Sequence, residues 1–260
     1  MFTQMDNPPS GDSVAADADP PPRARRGRPP GRTSQGEEMR KRLYDVALEL
    51  MSEQGYEGTT LREIAARAKV SPGLLYRYFP GKRSIVLVLY ENLSARFASE
   101  VELPNATWRT RFVRALKASL AVLAPHRETL RELIPVLVST SDDGLFSPAT
   151  AFSRERVAGV FSRAVMEARD TPRASLARPL GHLLYLLHLA VILVWLLDRS
   201  PQERATRALV RLIEKSLPIA APILRLPGIP RLLSTTDELL REALVGPESP
   251  PGARRFPSRE

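Results

Sequence analysis

Apolar residues recur at helical spacing along most of the chain, and the first such stripe predicts a helix that begins near Ser34. Ser34 and Glu37 have the Ser-x-x-Glu spacing of a capping box, and Gly55 is placed to end the helix. Between these positions the apolar residues fall three or four apart, as one buried helix face requires. They are Leu43, Val46, Ala47, Leu50 and Met51.

Residues 59–82 predict two short helices joined by a tight turn. Thr60 and Glu63 form a second capping box, which begins the first of them. Ser71 is a natural N-cap for the second helix, and Pro72 occupies its first position, where the missing N–H costs nothing. Pro80 then ends that helix. Two short helices across such a turn form a helix-turn-helix, whose second helix can enter a major groove of DNA.

The rest of the pattern is also helical. A long helix is expected from Gly81 with apolar residues at steps of four, followed by helices near 107–123, 148–169, 173–197, 201–217 and 236–244. A loop at 141–147 and a proline-broken stretch at 218–230 separate some of them. Since no segment alternates between apolar and polar residues as a strand does, the predicted fold is all-α.

One predicted helix differs from the others because it is apolar on every side. From 183 to 197 every residue except His188 is apolar or aromatic. Such a helix lies either in lipid or in protein that covers both of its faces. The run is shorter than the ~20 residues that span a bilayer, so we expect burial against a second copy of the chain, with Leu186, Val194 or Leu197 facing outward. A transmembrane helix is the alternative.

The composition shows that the chain is basic and contains no cysteine. The formal net charge is +9, which favours a polyanionic partner, and the chain has 24 prolines and three histidines. Residues 1–33 are expected to be a disordered arm, in which Arg26-Gly27-Arg28-Pro29 is similar to an AT-hook, and residues 246–260 a disordered tail. Arg26 and Arg28 would then enter a minor groove; a solvated basic linker is the alternative. No signal peptide is evident, so a cytoplasmic protein is expected.

The helix-turn-helix region resembles the DNA-binding motif of the tetracycline-repressor (TetR) family. The resemblance covers about 34–90 and departs from the family at Lys69, where glycine is common, and at Tyr78, where histidine is common. It rests on Thr60, Ile64, Ala65, Ala68, Val70, Ser71, Gly73, Tyr76, Phe79 and Lys82. It implies a DNA-binding domain at 34–81 and a helical effector-binding and dimerisation domain at 82–245.

The candidate DNA-binding residues lie on the second motif helix and at its borders. Ser71 and Tyr76 can bond to base edges or phosphates, Pro72 and Leu75 can contact thymine methyl groups, and Gly73 permits close approach. Leu74 and Phe79 are expected in the core. Lys82 is assigned to phosphate at the start of a long helix, with an ordinary exposed lysine as the alternative. The full set is Arg26, Arg28, Thr60, Lys69, Ser71, Pro72, Gly73, Leu75, Tyr76, Arg77, Tyr78 and Lys82.

The expected function is therefore a homodimeric, sequence-specific regulator of transcription, usually a repressor in this family. The dimer would form through the helices near 173–198 and 201–217, and an unknown small-molecule effector would bind near Trp108, Phe112, Tyr185 and His188. Each of these four side chains has packing as its alternative role. No cofactor, metal or membrane is expected, and no nucleophile–base set indicates an enzyme. An α-helical carrier or enzyme, and a non-specific nucleoid protein, are the other function classes considered.

Overall fold

The computed structural model describes residues 34–139 and 144–246, and its regular structure there is entirely helical. This confirms the predicted all-α fold. Short 3-10 turns connect several of the helices. The α-helices are α1 (Ser34–Gly58), α2 (Leu61–Arg67), α3 (Pro72–Tyr78), α4 (Lys82–Glu100), α5 (Trp108–Leu123), α6 (Arg127–Glu132), α7 (Ile134–Leu137), α8 (Ala151–Met166), α9 (Ala174–Leu197), α10 (Arg204–Ala220) and α11 (Ile229–Val245).

Helices α1–α3 form the N-terminal three-helix unit, which we call the head. Thr60 caps α2 as predicted: its hydroxyl accepts from the Glu63 N–H, and the Glu63 carboxylate accepts from the Thr60 N–H at 2.8 Å. Ser71 caps α3 by accepting from the Leu74 N–H. Gly55 has the positive φ of a helix stop, at 81°, and breaks α1 before its last residues. The local signals for the motif are therefore confirmed.

The turn between α2 and α3 depends on Lys69. Its φ is 53°, in the left-handed region, where a side chain costs roughly 1–2 kcal/mol. The backbone bonds are those of a Schellman motif: Lys69 N–H donates to the Ala66 carbonyl and Val70 N–H to the Ala65 carbonyl, both at 3.0 Å. Glycine is the usual residue here, so the departure noted from sequence coincides with real backbone strain.

Helices α5–α11 form the C-terminal unit, which we call the body, and α4 joins it to the head. Phe161 on α8 lies at the centre of its core, with ring centroids 6.0 Å from Phe97, 5.9 Å from Phe112 and 6.3 Å from Tyr185. Helices α8 and α9 pack closely because Gly181 has no side chain: a Cβ there would lie 3.0 Å from the Ser162 backbone.

Two boundaries near the C-terminus were predicted wrongly, and both involve proline. Pro218 does not end α10, which runs to Ala220 because Pro218 removes one N–H while the Ala221 N–H still donates to the Leu217 carbonyl. Pro230 does not break the chain but lies in the first turn of α11, where its missing N–H is unneeded. Helix α11 therefore begins at Ile229, seven residues before the predicted start.

Helix α9 has a buried face and an exposed apolar face. Tyr185, His188 and Trp195 are at most 2% exposed, whereas Leu187, Val194 and Leu197 are 36%, 43% and 56% exposed. Of the three residues offered for the outward face, Val194 and Leu197 are exposed, and Leu186 is partly buried at an internal cavity. By length and composition α9 could also cross a membrane, although 44% of its most apolar window is buried inside the chain.

Candidate functional site

The first candidate site is the exposed surface of α3. Ser71, Pro72, Gly73, Tyr76 and Arg77 are all exposed, and Tyr76 retains 49% of its accessible surface although it is large and aromatic. Single exposed aromatic side chains are common on protein surfaces, so the significance of Tyr76 comes from its position on α3. The two ends of α3 are fixed by the Ser71 cap and by Phe79, which is fully buried. The helix therefore presents a small polar and aromatic face on a rigid support.

Gly73 lies at the N-terminal end of this face. A Cβ built at Gly73 would meet no atom of the protein within 4 Å, and the residue does not have positive φ. Nothing in the described fold therefore requires glycine at this position. Glycine would be required here if an external surface approached the α3 backbone closely.

Leu75 was assigned to base contacts, and that assignment is wrong. Its side chain is fully buried in the head, whereas Leu74, which was expected in the core, is partly exposed. A helix of two turns has only one buried face, and Leu75 and Phe79, four residues apart, both lie on it. The one-residue error reverses the roles of two neighbouring leucines.

Thr60 and Lys69 border the α3 surface. The Thr60 hydroxyl is engaged within its own capping box, where it also donates to Glu63 Oε2 at 2.8 Å. That carboxylate accepts from the Thr60 backbone and side chain, which lowers the pKa of Glu63. Lys69 is exposed at the apex of the turn. Lys69 is therefore free of the capping-box contacts that occupy Thr60, and its charge faces solvent.

Lys82 and Tyr78 are less exposed than expected. The Lys82 ammonium donates to the Tyr56 carbonyl at 2.6 Å and lies 4.4 Å from the centre of the Tyr56 ring, and its side chain is only 23% exposed. Lys82 therefore holds the end of α1 against the start of α4, which neither sequence alternative included. Tyr78 is half-buried against the core of the head. The remaining two predicted DNA contacts, Arg26 and Arg28, lie outside the described residues.

The second candidate site is a cavity of about 560 Å³ in the body. This volume falls within the range of small-molecule sites. Its walls come from α4, α5, α6, α7, α8, α9 and α11, and most of the lining side chains are aliphatic. Leu240 and Leu244 of α11 close part of it. The cavity is thus built from side chains that are more than 150 positions apart in sequence.

Two of the four predicted ligand contacts line this cavity, and two do not. Tyr185 and His188 are in its wall. Trp108 and Phe112 are not; they are 4% and 0% exposed and pack in the core on another side of α5. The backbone N–H of Trp108 donates to Asp170 Oδ1 at 2.8 Å, which fixes the start of α5. The ligand assignment of Trp108 and Phe112 is therefore corrected to packing.

His188 is a neutral, buried imidazole. Its Nε2 lies 2.7 Å from the Ser119 hydroxyl, and its ring centroid is 4.5 Å from that of Phe161. Burial away from solvent lowers the pKa of His188 to about 3, a shift that its contact with the Tyr185 backbone only partly offsets. Burial likewise raises the pKa of Tyr185. Neither side chain adds charge to the cavity at neutral pH.

Sequence reasoning missed Arg154, the one charged side chain among the described residues of the cavity wall. It stands three and seven residues before Val157 and Phe161, in line with the apolar stripe of α8. A cation inside an apolar stripe was the available signal. Among residues 34–139 and 144–246 no cluster of His, Asp and Glu could hold a metal ion.

Comparison with known proteins finds sequence similarity in the N-terminal part of the chain, from within α1 into α4. Residues 43–89 match the sequence model of the bacterial regulatory proteins of the tetR family. The HTH-type transcriptional regulator HbdR of Aromatoleum sp. (strain CIB) is 42% identical over 65 residues, 25% of this chain and 28% of that protein. The HTH-type transcriptional repressor KstR of Rhodococcus jostii (strain RHA1) is 53% identical over 45 residues, 17% and 21% of the two chains. The predicted resemblance is confirmed.

The C-terminal body is similar to known proteins in its fold and much less in its sequence. The crystal structure of the transcriptional regulator FadR from Bacillus subtilis in complex with stearoyl-CoA has a TM-score of 0.55 and 17% sequence identity, covering 68% of this chain and 96% of that one. By sequence, this chain spans about a quarter of the length of the curated relatives it matches. The predicted arrangement, a helix-turn-helix domain followed by a helical C-terminal domain, is thus confirmed.

Proposed function

We propose that this protein is a sequence-specific DNA-binding regulator of transcription that acts as a homodimer and responds to a small molecule. The observation that carries this proposal is the exposed α3 face, with Tyr76 half exposed and Gly73 facing open space, inside the segment that matches the family model. Repression is the proposed direction of control, since KstR is named a repressor. A DNA-binding regulator works in the cytoplasm, which is the proposed location.

The α3 face would enter the major groove. Tyr76 would contact base edges, Pro72 a thymine methyl group, and Ser71 and Arg77 base edges or phosphates. Lys69, at the turn, would add a phosphate contact. Lys82 remains a proposed phosphate contact only through the part of its side chain that the Tyr56 carbonyl leaves accessible.

The exposed apolar faces of α9 and α10 would form the dimer. Leu187, Val194 and Leu197 follow one side of α9, and Leu212 on α10 is 61% exposed. Large apolar side chains grouped on neighbouring helices mark protein contact surfaces. Two copies of both helices would make a four-helix interface, which would place two α3 helices on successive major grooves.

The cavity would bind the effector. A ligand there would touch α4, which leads directly to the head, and it would alter DNA affinity only if the two forms of the dimer bind it unequally. An α-helical small-molecule carrier is the second candidate function, and the apolar cavity supports it as well. Only the regulator accounts for the exposed α3 face.

The test is selection of DNA fragments from the genome of the source organism by the full-length protein, followed by affinity measurement at fixed salt. We expect a palindromic site whose half-sites lie about one helical turn apart. Its affinity should exceed that for random DNA by ~10³-fold or more. Equal measurable affinities would refute the regulator and leave the non-specific nucleoid protein, and no DNA binding at all would leave the carrier.

A further inference from the structure

Among the described residues that line the cavity there is one formal charge, the Arg154 guanidinium, and no carboxylate. Apart from a few hydroxyls and His188, the lining residues are apolar, and none of those described is Asp or Glu. His188 is paired with Ser119 and adds no positive charge. A charge beside an apolar space is unfavourable unless an opposite charge compensates it. Among residues 34–139 and 144–246, the cavity wall therefore supplies no counterion to its own arginine.

Two arginines at the start of α5 do have such a counterion, whereas Arg156 on α8 bonds, among the described residues, only to the Glu91 carbonyl and the Ser94 hydroxyl. Arg109 lies 3.0 Å from Asp170, Arg111 lies 3.1 Å from Glu167, and both are partly or fully buried. Arg154 has no carboxylate of the described residues within 4.0 Å. Its position among the cavity residues is thus not explained by an internal ion pair.

The contacts of Arg154 fix its direction. Nη1 donates to the carbonyl oxygens of Leu145 at 3.2 Å and Ser147 at 3.1 Å, and the guanidinium lies 6.0 Å from the Phe146 ring. These bonds hold one nitrogen against the segment before α8. Nε and Nη2 donate to no described residue. Adjacent N–H groups on one edge of a guanidinium match the two oxygens of a carboxylate.

Tyr185 lies close enough to Arg154 for the positive charge to act on it. Burial raises the pKa of the Tyr185 phenol, and the Arg154 charge offsets part of that increase. Both side chains line the same cavity. A neutral phenol beside the guanidinium supplies one further donor for an anionic head group.

We propose that the cavity binds an apolar molecule that carries a carboxylate, with the carboxylate against Arg154 and the apolar part among the aliphatic side chains. This inference rests on the proposed function, since it names the chemical class of the effector. It also predicts what the cavity rejects: a cationic molecule would face the guanidinium without a compensating carboxylate.

The experiment uses three probes of one chain length, dodecanoate, 1-dodecanol and dodecylamine, each below its micellar concentration. Binding to the full-length protein is measured by displacement of the neutral dye Nile red. We expect dodecanoate to bind about 10- to 100-fold more tightly than dodecanol, which corresponds to hydrogen bonds to a charged group. Dodecylamine should bind most weakly.

Two variants locate the preference. Arg154→Gln should reduce dodecanoate affinity to that of dodecanol and leave dodecanol unchanged. Arg163→Gln, an exposed arginine on the same helix outside the cavity, removes the same charge and should change none of the three affinities. If circular dichroism shows that Arg154→Gln does not fold, the relative affinities of the three probes for the unmodified protein still test the inference.

Equal binding of dodecanoate and dodecanol, tighter binding of dodecylamine, or no binding of any probe would overturn the inference. An equal loss of dodecanoate and dodecanol affinity in Arg154→Gln would do so as well. Operator affinity measured on the same preparations separates the two proposals. Operator binding without a carboxylate preference refutes only this inference, whereas carboxylate binding without specific DNA binding refutes only the regulator.

Discussion

The candidate site of the head is formed by residues that are close together in sequence, whereas the candidate site of the body is formed by residues that are far apart. Every element of the head interface is local: two caps, one strained turn and an exposed helix face lie within about twenty residues. The cavity in the body draws its wall from residues between Tyr90 and Leu244. Function that depends on short-range backbone geometry leaves a motif in sequence, whereas a cavity wall assembled by long-range packing leaves only scattered apolar positions.

Similarity to other proteins follows the same division. The identity of 42–53% is confined to short stretches of the chain, and the structure-wide likeness to FadR has 17% identity. If the head binds DNA as proposed, the dimensions of the major groove restrict its side chains. The body needs only to keep its helices packed around a space. Four predictions test this division, in order of expected effect.

The largest effect should come from the dimer face of the body. Val194→Glu would place an unpaired carboxylate inside the proposed interface, which costs several kcal/mol. We expect monomer or aggregate in sedimentation velocity and at least ~100-fold weaker operator binding, because two half-sites are then no longer bound together. Met166→Glu, a change at another exposed apolar residue of the body, is the control. A dimeric Val194→Glu protein, or a monomeric unmodified one at micromolar concentration, would contradict this account.

The stability of the body should also decrease at acidic pH, since all three histidines lie in it. The pKa of His188 is about 3 in the fold and ~6.5 in the unfolded chain, so the unfolded chain binds more protons between these values. The free energy of unfolding should therefore fall as pH is lowered below about 6.5, by about 2 kcal/mol at pH 5. Urea unfolding at pH 7.5 and 5 measures this. An equal decrease in His188→Gln would show that other groups cause it.

A smaller effect should separate folding from DNA binding within the head. Because no described residue contacts the space beside Gly73, Gly73→Ala should stabilise the protein by about 0.5–1 kcal/mol. The same methyl group should weaken operator binding by about tenfold, or 1.4 kcal/mol. Gly159→Ala on α8, where a Cβ also meets nothing, should stabilise the fold without affecting the operator. If Gly73→Ala bound DNA normally, α3 would not approach DNA at that position.

Lys82 should show the smallest effect, because it already bonds to the end of α1. Lys82→Ala should lower the free energy of unfolding by about 1 kcal/mol through the lost bond to the Tyr56 carbonyl. If Lys82 also contacts one phosphate, the slope of log K against log[salt] should decrease by roughly 0.9. Lys117→Ala, a lysine of the body, is the control for both measurements. Lower stability with an unchanged slope would assign Lys82 to the fold alone.

The successes and errors of the sequence analysis have physical causes. The Thr60–Glu63 capping box and the Ser71 cap were predictable because each depends on residues three positions apart. Leu74 and Leu75 were exchanged because the helix is too short for its apolar spacing to define a phase. Pro218 was misjudged because a proline near a helix end removes a single bond.

The ligand site was the least predictable part. Trp108 and Phe112 were chosen for size, but size alone does not tell whether a side chain fills the core or borders a space. Arg154 was overlooked because its role depends on which face of α8 meets α9 and on a segment that supplies carbonyl oxygens. Those are consequences of the tertiary fold.

The most direct test of the central claim is the affinity of Tyr76→Ala for operator and for random DNA at one salt concentration. If α3 contacts bases, this change should cost ~1–3 kcal/mol on the operator and little on random DNA. Phe152→Ala, an exposed aromatic residue of the body, should change neither. Equal losses on operator and random DNA, or no loss on either, would contradict the claim that the head recognises sequence through this helix.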